Sequence, residues 1–431
     1  MVSLVREIAY WPNREELYTY LDGIINRANS EMWKIALLVM DLDDFREFCE
    51  IYGYQAIDNF LNLIGQVIKE NCPDNSWLAW LGSDEFAVVL YDTDQEQATN
   101  VAQTICEAVA QPISFKGRIA QVGVSLGISL FPVDAVDRYE LLKNATVAMN
   151  WVKKNGKNSY RFYDRKMSEE INRKVRLTND FSVALVENQF ILYYQPQINI
   201  FTGMISGAEA LVRWQHPELG LIPPGDFIPL AEENGFIHQL GEWVLRKACQ
   251  DFYSWLEAGL PLERLAVNVS VIQLLESNFA PMVFSILEET GLDPVYLELE
   301  ITESQTANLQ TVKSQIELLR EHGVRFAIDD FGTGFSSIHH LRVMGFDTIK
   351  IDKGFIHNVL HDNKEQVIVE SILNMAHLLR LNIIAEGVET SEQASYVETV
   401  KIEEVQGYYY SPPIDKDRFE NMMKELFLTS E

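Results

Sequence analysis

Apolar positions along this chain fall into short runs, separated by stretches in which they recur every three or four residues, the pattern of an alternating α/β protein. From Asn13, the spacing of Leu17, Leu21, Ile24 and Ile25 predicts a helix with one apolar face. The run Lys34–Met40 reads as a strand and ends in Asp41, Leu42, Asp43, Asp44 and Phe45. A helical stretch through Leu61 to Val67 follows. Trp77–Leu81 and Ala87–Tyr91 then read as a hairpin, with Asp84 and Glu85 in its turn. A helix around Ala98–Val109 and a strand around Gln121–Leu130 complete the alternation. Residues 164–180 are strongly charged. Their apolar positions, Met167, Ile171, Val175 and Leu177, fit a mostly solvated connecting helix with a thin apolar stripe.

From Phe181 onward short apolar runs recur, many with helical segments between them. They are Phe190–Gln195, Gly207–Val212, Leu265–Val269, Tyr296–Ile301, Phe326–Ile328, Thr348–Ile351, Ile383–Ala385 and Val405–Tyr409. Eight strands in about 250 residues suit a TIM-type (β/α)8 barrel; an open doubly wound sheet is the other arrangement. At or near the run ends stand Gln195, Glu209 with Arg213, Asn268, Glu300, Asp329 with Asp330, Lys350 with Asp352, Glu386, and Gln406. In a barrel such ends converge on the face that carries active sites.

One stretch, RFAIDDFGTGFSS from Arg325 to Ser337, concentrates the issue. Neighbouring side chains on a regular strand point to opposite faces, so Asp329 and Asp330 can share a site only where the strand bends. Alone, the stretch suits a solvated acidic loop as well as a metal site. Partners at seven other run ends favour the site. Carboxylates and the Asn268 amide, without cysteine or an evident histidine ligand, suit magnesium or manganese. Two such ions with the fixed charge of Lys350 and Arg213 point to phosphodiester hydrolysis. His339 and His340 read as helix-surface residues.

Composition narrows the field. The 431 residues are 47% hydrophobic and 23% charged, an ordinary globular balance for two or three domains. A formal net charge of −28 argues against a nucleic-acid polymer as partner. Cys49, Cys72, Cys106 and Cys249 lack metal-ligand spacing and suit reduced thiols in a cytoplasmic protein. The N-terminal stretch does not read as a signal peptide, and no window is apolar for long enough to span a membrane. The chain is expected to be cytoplasmic, or the cytoplasmic part of a larger membrane protein.

The turn GSDEF, with WPNR, DLDDF and the closing AMNWVKKNGKN at matching spacing, resembles the GGDEF domain of diguanylate cyclases over residues 1–163. The resemblance implies a small α/β domain with a mostly antiparallel central sheet. Asp41 and Asp84 would hold the metal on GTP, with Glu85 as second turn acid and Lys153 and Lys157 as basic residues. The departures weigh heavily. The second motif glycine is Ser83, the usual arginine is Trp80, and the guanine-reading asparagine falls on Cys49, although its partner acid remains as Asp58. Thr146 and Asn150 replace a usual aspartate and tyrosine, and the RxxD inhibition site is absent at Pro73–Ser76. The domain reads as one that has lost synthesis. It is either a structural or dimerising module or a GTP-binding regulator.

Residues 181–431 carry AEALVRW, with QPQ, NVS, LEITES, DDFGTGFSS, IKID, AEGVE and QGYYYSPP. This set closely resembles the EAL domain of cyclic-di-GMP phosphodiesterases. The family implies a barrel cutting cyclic-di-GMP to linear pGpG with two magnesium or manganese ions. Carried across, Glu209, Asn268, Glu300 and Asp329 would ligate one metal. Asp329 would bridge to a second, held by Asp330 and Glu386. Lys350 would orient or deprotonate the water, supported by Gln406 and Asp352. Gln195, Leu211, Arg213 and Gln406 would line the substrate, and Glu303 would tether the 331–337 loop. Phe335 stands where tyrosine is common. The resemblance also implies a homodimer through this domain; an upstream sensor domain or partner is left open.

Overall fold

The computed structural model describes residues 11–53, 57–303, 309–332 and 344–429. They form two compact units that divide between Arg173 and Lys174.

The first unit opens with helix α1 (Arg14–Glu31), started by a capping box between Asn13 and Glu16. Its buried positions are Leu17, Leu21, Ile24, Ile25 and Ala28. Each of the fully buried leucines stabilises the fold by roughly 1.5–3 kcal/mol. Strand β1 (Ile35–Leu42) follows, then α2 (Phe45–Tyr52) and α3 (Ile57–Glu70), where the apolar pattern had shown one helical stretch. The hairpin β2 (Ser76–Gly82) and β3 (Glu85–Tyr91), α4 (Gln95–Val109) and a small hairpin β4 (Ile113–Phe115) and β5 (Arg118–Ala120) come next. Strand β6 (Val124–Phe131), α5 (Arg138–Lys154) and β7 (Ser159–Phe162) complete the unit.

The sheet runs β2-β3-β1-β6-β7 and is antiparallel except for the β6–β7 pair. Strand β1 lies at its centre and is buried throughout. Ala36, Leu38, Met40 and Leu42 enter the core on one face; Ile35, Leu37 and Val39 enter the core on the other.

Helix α6 (Arg165–Val186) runs beyond the charged 164–180 stretch. Met167 and Leu177 are buried, but Ile171 and Val175 of the expected stripe are exposed. The stripe continues instead through Phe181 and Ala184, which join Leu177 in the barrel core.

The second unit is a closed barrel of β8 (Phe190–Asn199), β9 (Ile205–His216), β11 (Arg264–Asn268), β12 (Leu297–Thr302), β13 (Arg325–Phe331), β14 (Thr348–Ile351), β15 (Asn382–Ala385) and β16 (Glu404–Val405). The short strands β10 (Gly220–Ile222) and β17 (Ile414–Asp415) pair outside it, on β9 and β8. Strands β9 and β11 to β16 are mutually parallel, as in a (β/α)8 barrel. Strand β8 is antiparallel to both its neighbours. The cause is the short link at 200–204, since a parallel crossover needs a dozen or more residues. Apolar residues pack between strands and outer helices, leaving much of the interior to polar side chains.

Among the described residues no helix is long and apolar enough to cross a membrane. The four cysteines are free. Burial raises Cys72 to about 11 and Cys106 and Cys249 to about 12, which keeps these thiols protonated.

Candidate active site

Lys350 stands at the centre of the barrel mouth and is fully buried. Its ammonium lies 2.7 Å from Glu300, 2.9 Å from Glu386, 3.1 Å from Asp329 and 3.3 Å from Glu209. Four strands or strand ends supply these acids: β12, the residue after β15, β13 and β9. Burial would lower the lysine pKa, yet the surrounding carboxylates raise it well above its ordinary value. Lys350 is therefore held as a cation.

Asp329 and Asp330 reach one site because β13 breaks its ladder. The register with β14 shifts between Ile328 and Phe331. Asp330 adopts φ +52°, a left-handed conformation that costs a non-glycine residue roughly 1–2 kcal/mol. Carboxylate oxygens of Asp329, Asp330 and Glu386 all lie within 4.8 Å of one another, the one acidic triplet so arranged among the described residues. Asp330 also contacts Asp352, whose carboxylate accepts from the Gly354 amide and caps the helix at Lys353–Asn358.

The cluster has the chemistry of a divalent-cation site. Four carboxylates face one ammonium, and Glu300 Oε1 is buried without a hydrogen-bond partner. Burial raises Glu386 to about 8, with Asp329 and Glu209 adding to it and Lys350 opposing. Burial with Asp329 and Asp352 raises Asp330 to about 6. Both must be deprotonated to bind a cation. Manganese affinity should therefore rise with pH from about 6 upward, with protons released on binding. Calorimetry in buffers of different ionisation enthalpy reads both effects. A pH-independent affinity contradicts the assignment.

Glu209 is distinct among these acids. Burial alone would raise it, but Lys350, Gln406 and Asn268 hold it below the usual carboxylate range. Asn268 Nδ2 donates to it at 2.7 Å. Gln406 Nε2 donates to it at 2.5 Å. On β9, Glu209, Leu211 and Arg213 alternate along one face. Arg213 is half-buried beside the Tyr193 ring and donates to the Val212 carbonyl. It touches none of the clustered acids, so its guanidinium remains available to a ligand.

Gln195 meets this site from mid-strand rather than from a strand end. It pairs in register with Glu209 and accepts from Gln406 Nε2 at 2.9 Å. Glu303 accepts from the Gly332 amide at 2.6 Å, anchoring the first glycine of the 331–337 segment. Residues 333–337, with Phe335, and His339 and His340 lie outside the described residues.

A second polar layer, absent from the sequence reading, lies beneath the mouth. Gln197, Arg264, Glu298, Thr348 and Glu404 are buried or nearly so and interconnect. The signal was present. Glu298, Thr348 and Glu404 each stand two residues before a mouth residue, on the same strand face. At the end where the parallel strands begin, a cavity of about 570 Å³ is lined by residues including Arg264, Arg325, His377 and Glu404. It lies away from the clustered acids.

In the first unit the motif residues are tied to one another. Lys153 Nζ sits 2.8 Å from buried Asp41, Lys157 pairs with Asp44, and Arg14 pairs with Glu85 at 3.1 Å. Burial, reinforced by Asp84 and Glu85, raises Asp41 to about 6 despite Lys153. Asp58 is exposed in the first turn of α3. Ser83 adopts φ +50°, a conformation that favours glycine, and Trp80 donates its indole N–H to the Ser83 carbonyl.

Together these features define a closed α/β barrel with an acidic mouth. A family model for the EAL domain matches residues 178–413, and one described as "Diguanylate cyclase, GGDEF domain" matches residues 8–159. The chain belongs to the EAL domain family, with a GGDEF domain preceding the barrel. It is 36% identical to the "Bifunctional diguanylate cyclase/cyclic di-GMP phosphodiesterase MucR" of Pseudomonas aeruginosa, over 94% of this chain and 60% of that protein. It is likewise 36% identical to "Cyclic di-GMP phosphodiesterase NbdA" of the same organism, over 90% and 50% respectively. The chain thus spans between half and two thirds of these relatives' length. The solved structure "PaMucR Phosphodiesterase, c-di-GMP complex" aligns with a TM-score of 0.55 at 38% identity, covering 57% of this chain and 99% of that one.

Proposed function

We propose that the barrel is a cyclic-di-GMP phosphodiesterase that opens the ring to linear pGpG, with magnesium or manganese at the acidic mouth. The observation that carries the reading is the complete ring of Glu209, Glu300, Asp329 and Glu386 around Lys350, with Asp330 beside it. Glu209, Asn268, Glu300 and Asp329 would hold one cation, and Asp329, Asp330 and Glu386 a second. Bound there, the pair would neutralise the acids and polarise the scissile phosphodiester.

The chain's own residues do the remaining work. Lys350, at the centre of the ring of acids, orients the attacking water or takes its proton. Asn268 and Gln406 fix the Glu209 carboxylate. Arg213 offers a planar fork to a phosphate oxygen pair, beside Leu211 and Gln195. Water's oxygen bonds to phosphorus, the bond to the ribose 3′-oxygen breaks, and the proton given up by the water ends on that oxygen. Asp352 and Glu303 hold the two segments that flank the second cation site.

The GGDEF domain is proposed to be silent as a cyclase and to act, with GTP bound, as a regulator of the barrel. Ser83 stands in a left-handed conformation at the motif turn, Trp80 bonds to its carbonyl where an arginine is usual, and Lys153 pairs with Asp41. Two assays by chromatography test this reading. With manganese, cyclic-di-GMP is consumed, and added GTP changes the rate. With GTP alone, no cyclic-di-GMP forms, even when Glu209→Ala blocks its breakdown. Tight binding in chelator without turnover in metal would instead make the barrel a receptor.

A further inference from the structure

Gln406 presents its amide N–H group to Glu209, but a glutamine amide can turn over and present its oxygen instead. Two fixed points prevent this. Arg264 is a donor with no acceptor atoms, and it is clamped by Glu404 at 2.6 Å and Glu298 at 3.3 Å. It donates to Gln197 Oε1 at 3.0 Å, so Gln197 must direct its own N–H group to Gln406 Oε1, at 3.3 Å. From the other side, the Ser411 carbonyl can only accept, and it takes Gln195 Nε2 at 3.2 Å. Gln195 therefore turns its oxygen to Gln406 Nε2, at 2.9 Å. Both chains impose the same orientation on Gln406. Its two amide protons are then committed to Gln195 and Glu209.

Space for the relay is built into the backbone. A Cβ on Gly207, which pairs with Gln197 across β8 and β9, would stand 2.5 Å from Gln197 Oε1.

We propose that Arg264 and Gln197 are positioning residues, a one-way hydrogen-bond relay that sets the polarity of Gln406 and so keeps Glu209 aligned as a cation ligand. The inference rests on the reading of Glu209 as a metal ligand. Outer partners of this kind typically change metal affinity by 10–100-fold.

The test is manganese titration of the full chain by calorimetry, with Gln197→Glu as the principal variant. The introduced carboxylate accepts from Arg264 but also presents an acceptor to Gln406. The new carboxylate then competes with Gln195 and Glu209 for the Gln406 N–H group, and the hold on Glu209 loosens. Manganese affinity falls at least about tenfold. Added negative charge acting through space alone would tighten binding, so the direction of the change separates the two causes. In a Gln406→Leu background the relay has nothing to turn, and Gln197→Glu no longer weakens binding. Gln197→Met, which removes the constraint without adding charge, weakens binding several-fold and carries the test if the first variant does not fold.

Unchanged or tighter binding in both Gln197 variants, or the same loss in the Gln406→Leu background, overturns the relay. Wild-type protein that binds manganese but does not cleave cyclic-di-GMP overturns the hydrolase reading alone, and the titrations still decide the relay. Wild-type protein that binds no manganese overturns both.

Discussion

Glu209→Ala lowers cyclic-di-GMP turnover by roughly 10³-fold, because a loss of about 4 kcal/mol of transition-state charge stabilisation follows when one cation loses its ligand. Glu209 is the acid with the most enforced geometry at the mouth. Lys350, Asn268 and Gln406 all bond to it, and together they hold its charge against the effect of burial. Removing it also leaves the Asn268 amide without its partner. The loss should fall on kcat more than on KM, since Arg213 and Leu211 lie further along β9 and remain in place. Steady-state kinetics in saturating manganese checks the split. A variant that keeps more than a tenth of wild-type kcat would remove Glu209 from the machinery.

Lys350→Met gives the largest stability effect. The substitution takes away the one cation that four buried or nearly buried carboxylates share. Deleting one partner of a buried ion pair costs about 3–5 kcal/mol, because the remaining charge is left uncompensated. The deficit should be full in chelator and partly recovered in manganese, which supplies positive charge to the same acids. It should also shrink as pH falls. Burial holds Glu300, Glu386 and Asp330 above the ordinary carboxylate range, so they take up protons on acidification and the repulsion decreases. Urea unfolding of both proteins with and without metal measures this. Equal stability in chelator would mean that Lys350 does not neutralise the cluster.

The mouth was legible because each of its acids interrupts an apolar run, and an ionisable group there is costly unless it has a role. Glu209, Glu300, Asp329, Lys350 and Glu386 are drawn together from strands far apart in sequence. Four features escaped the pattern for physical reasons. Arg264 opens β11, where a charged residue resembles a solvated strand start, yet it is buried in the barrel interior. The run Phe190–Gln195 looks like any other strand, and nothing in its periodicity records that β8 points the other way. The convergence of Asp329 and Asp330 required a bend, but its form depends on a left-handed Asp330 that no apolar spacing encodes. Helix α5 escaped because its buried face mixes Asn144 and three alanine or methionine positions with few branched residues. Yet that helix places Lys153 on Asp41, the contact that bears most directly on the first domain.

The central claim, cleavage of a cyclic dinucleotide at a cation-dependent mouth, is tested most directly by the product of one reaction. Purified chain is incubated with cyclic-di-GMP in manganese and, in parallel, in chelator, and the nucleotides are separated by chromatography. Stoichiometric conversion to linear pGpG in manganese, with no conversion in chelator, is the predicted result. Intact cyclic-di-GMP in both, or equal cleavage in both, would contradict it.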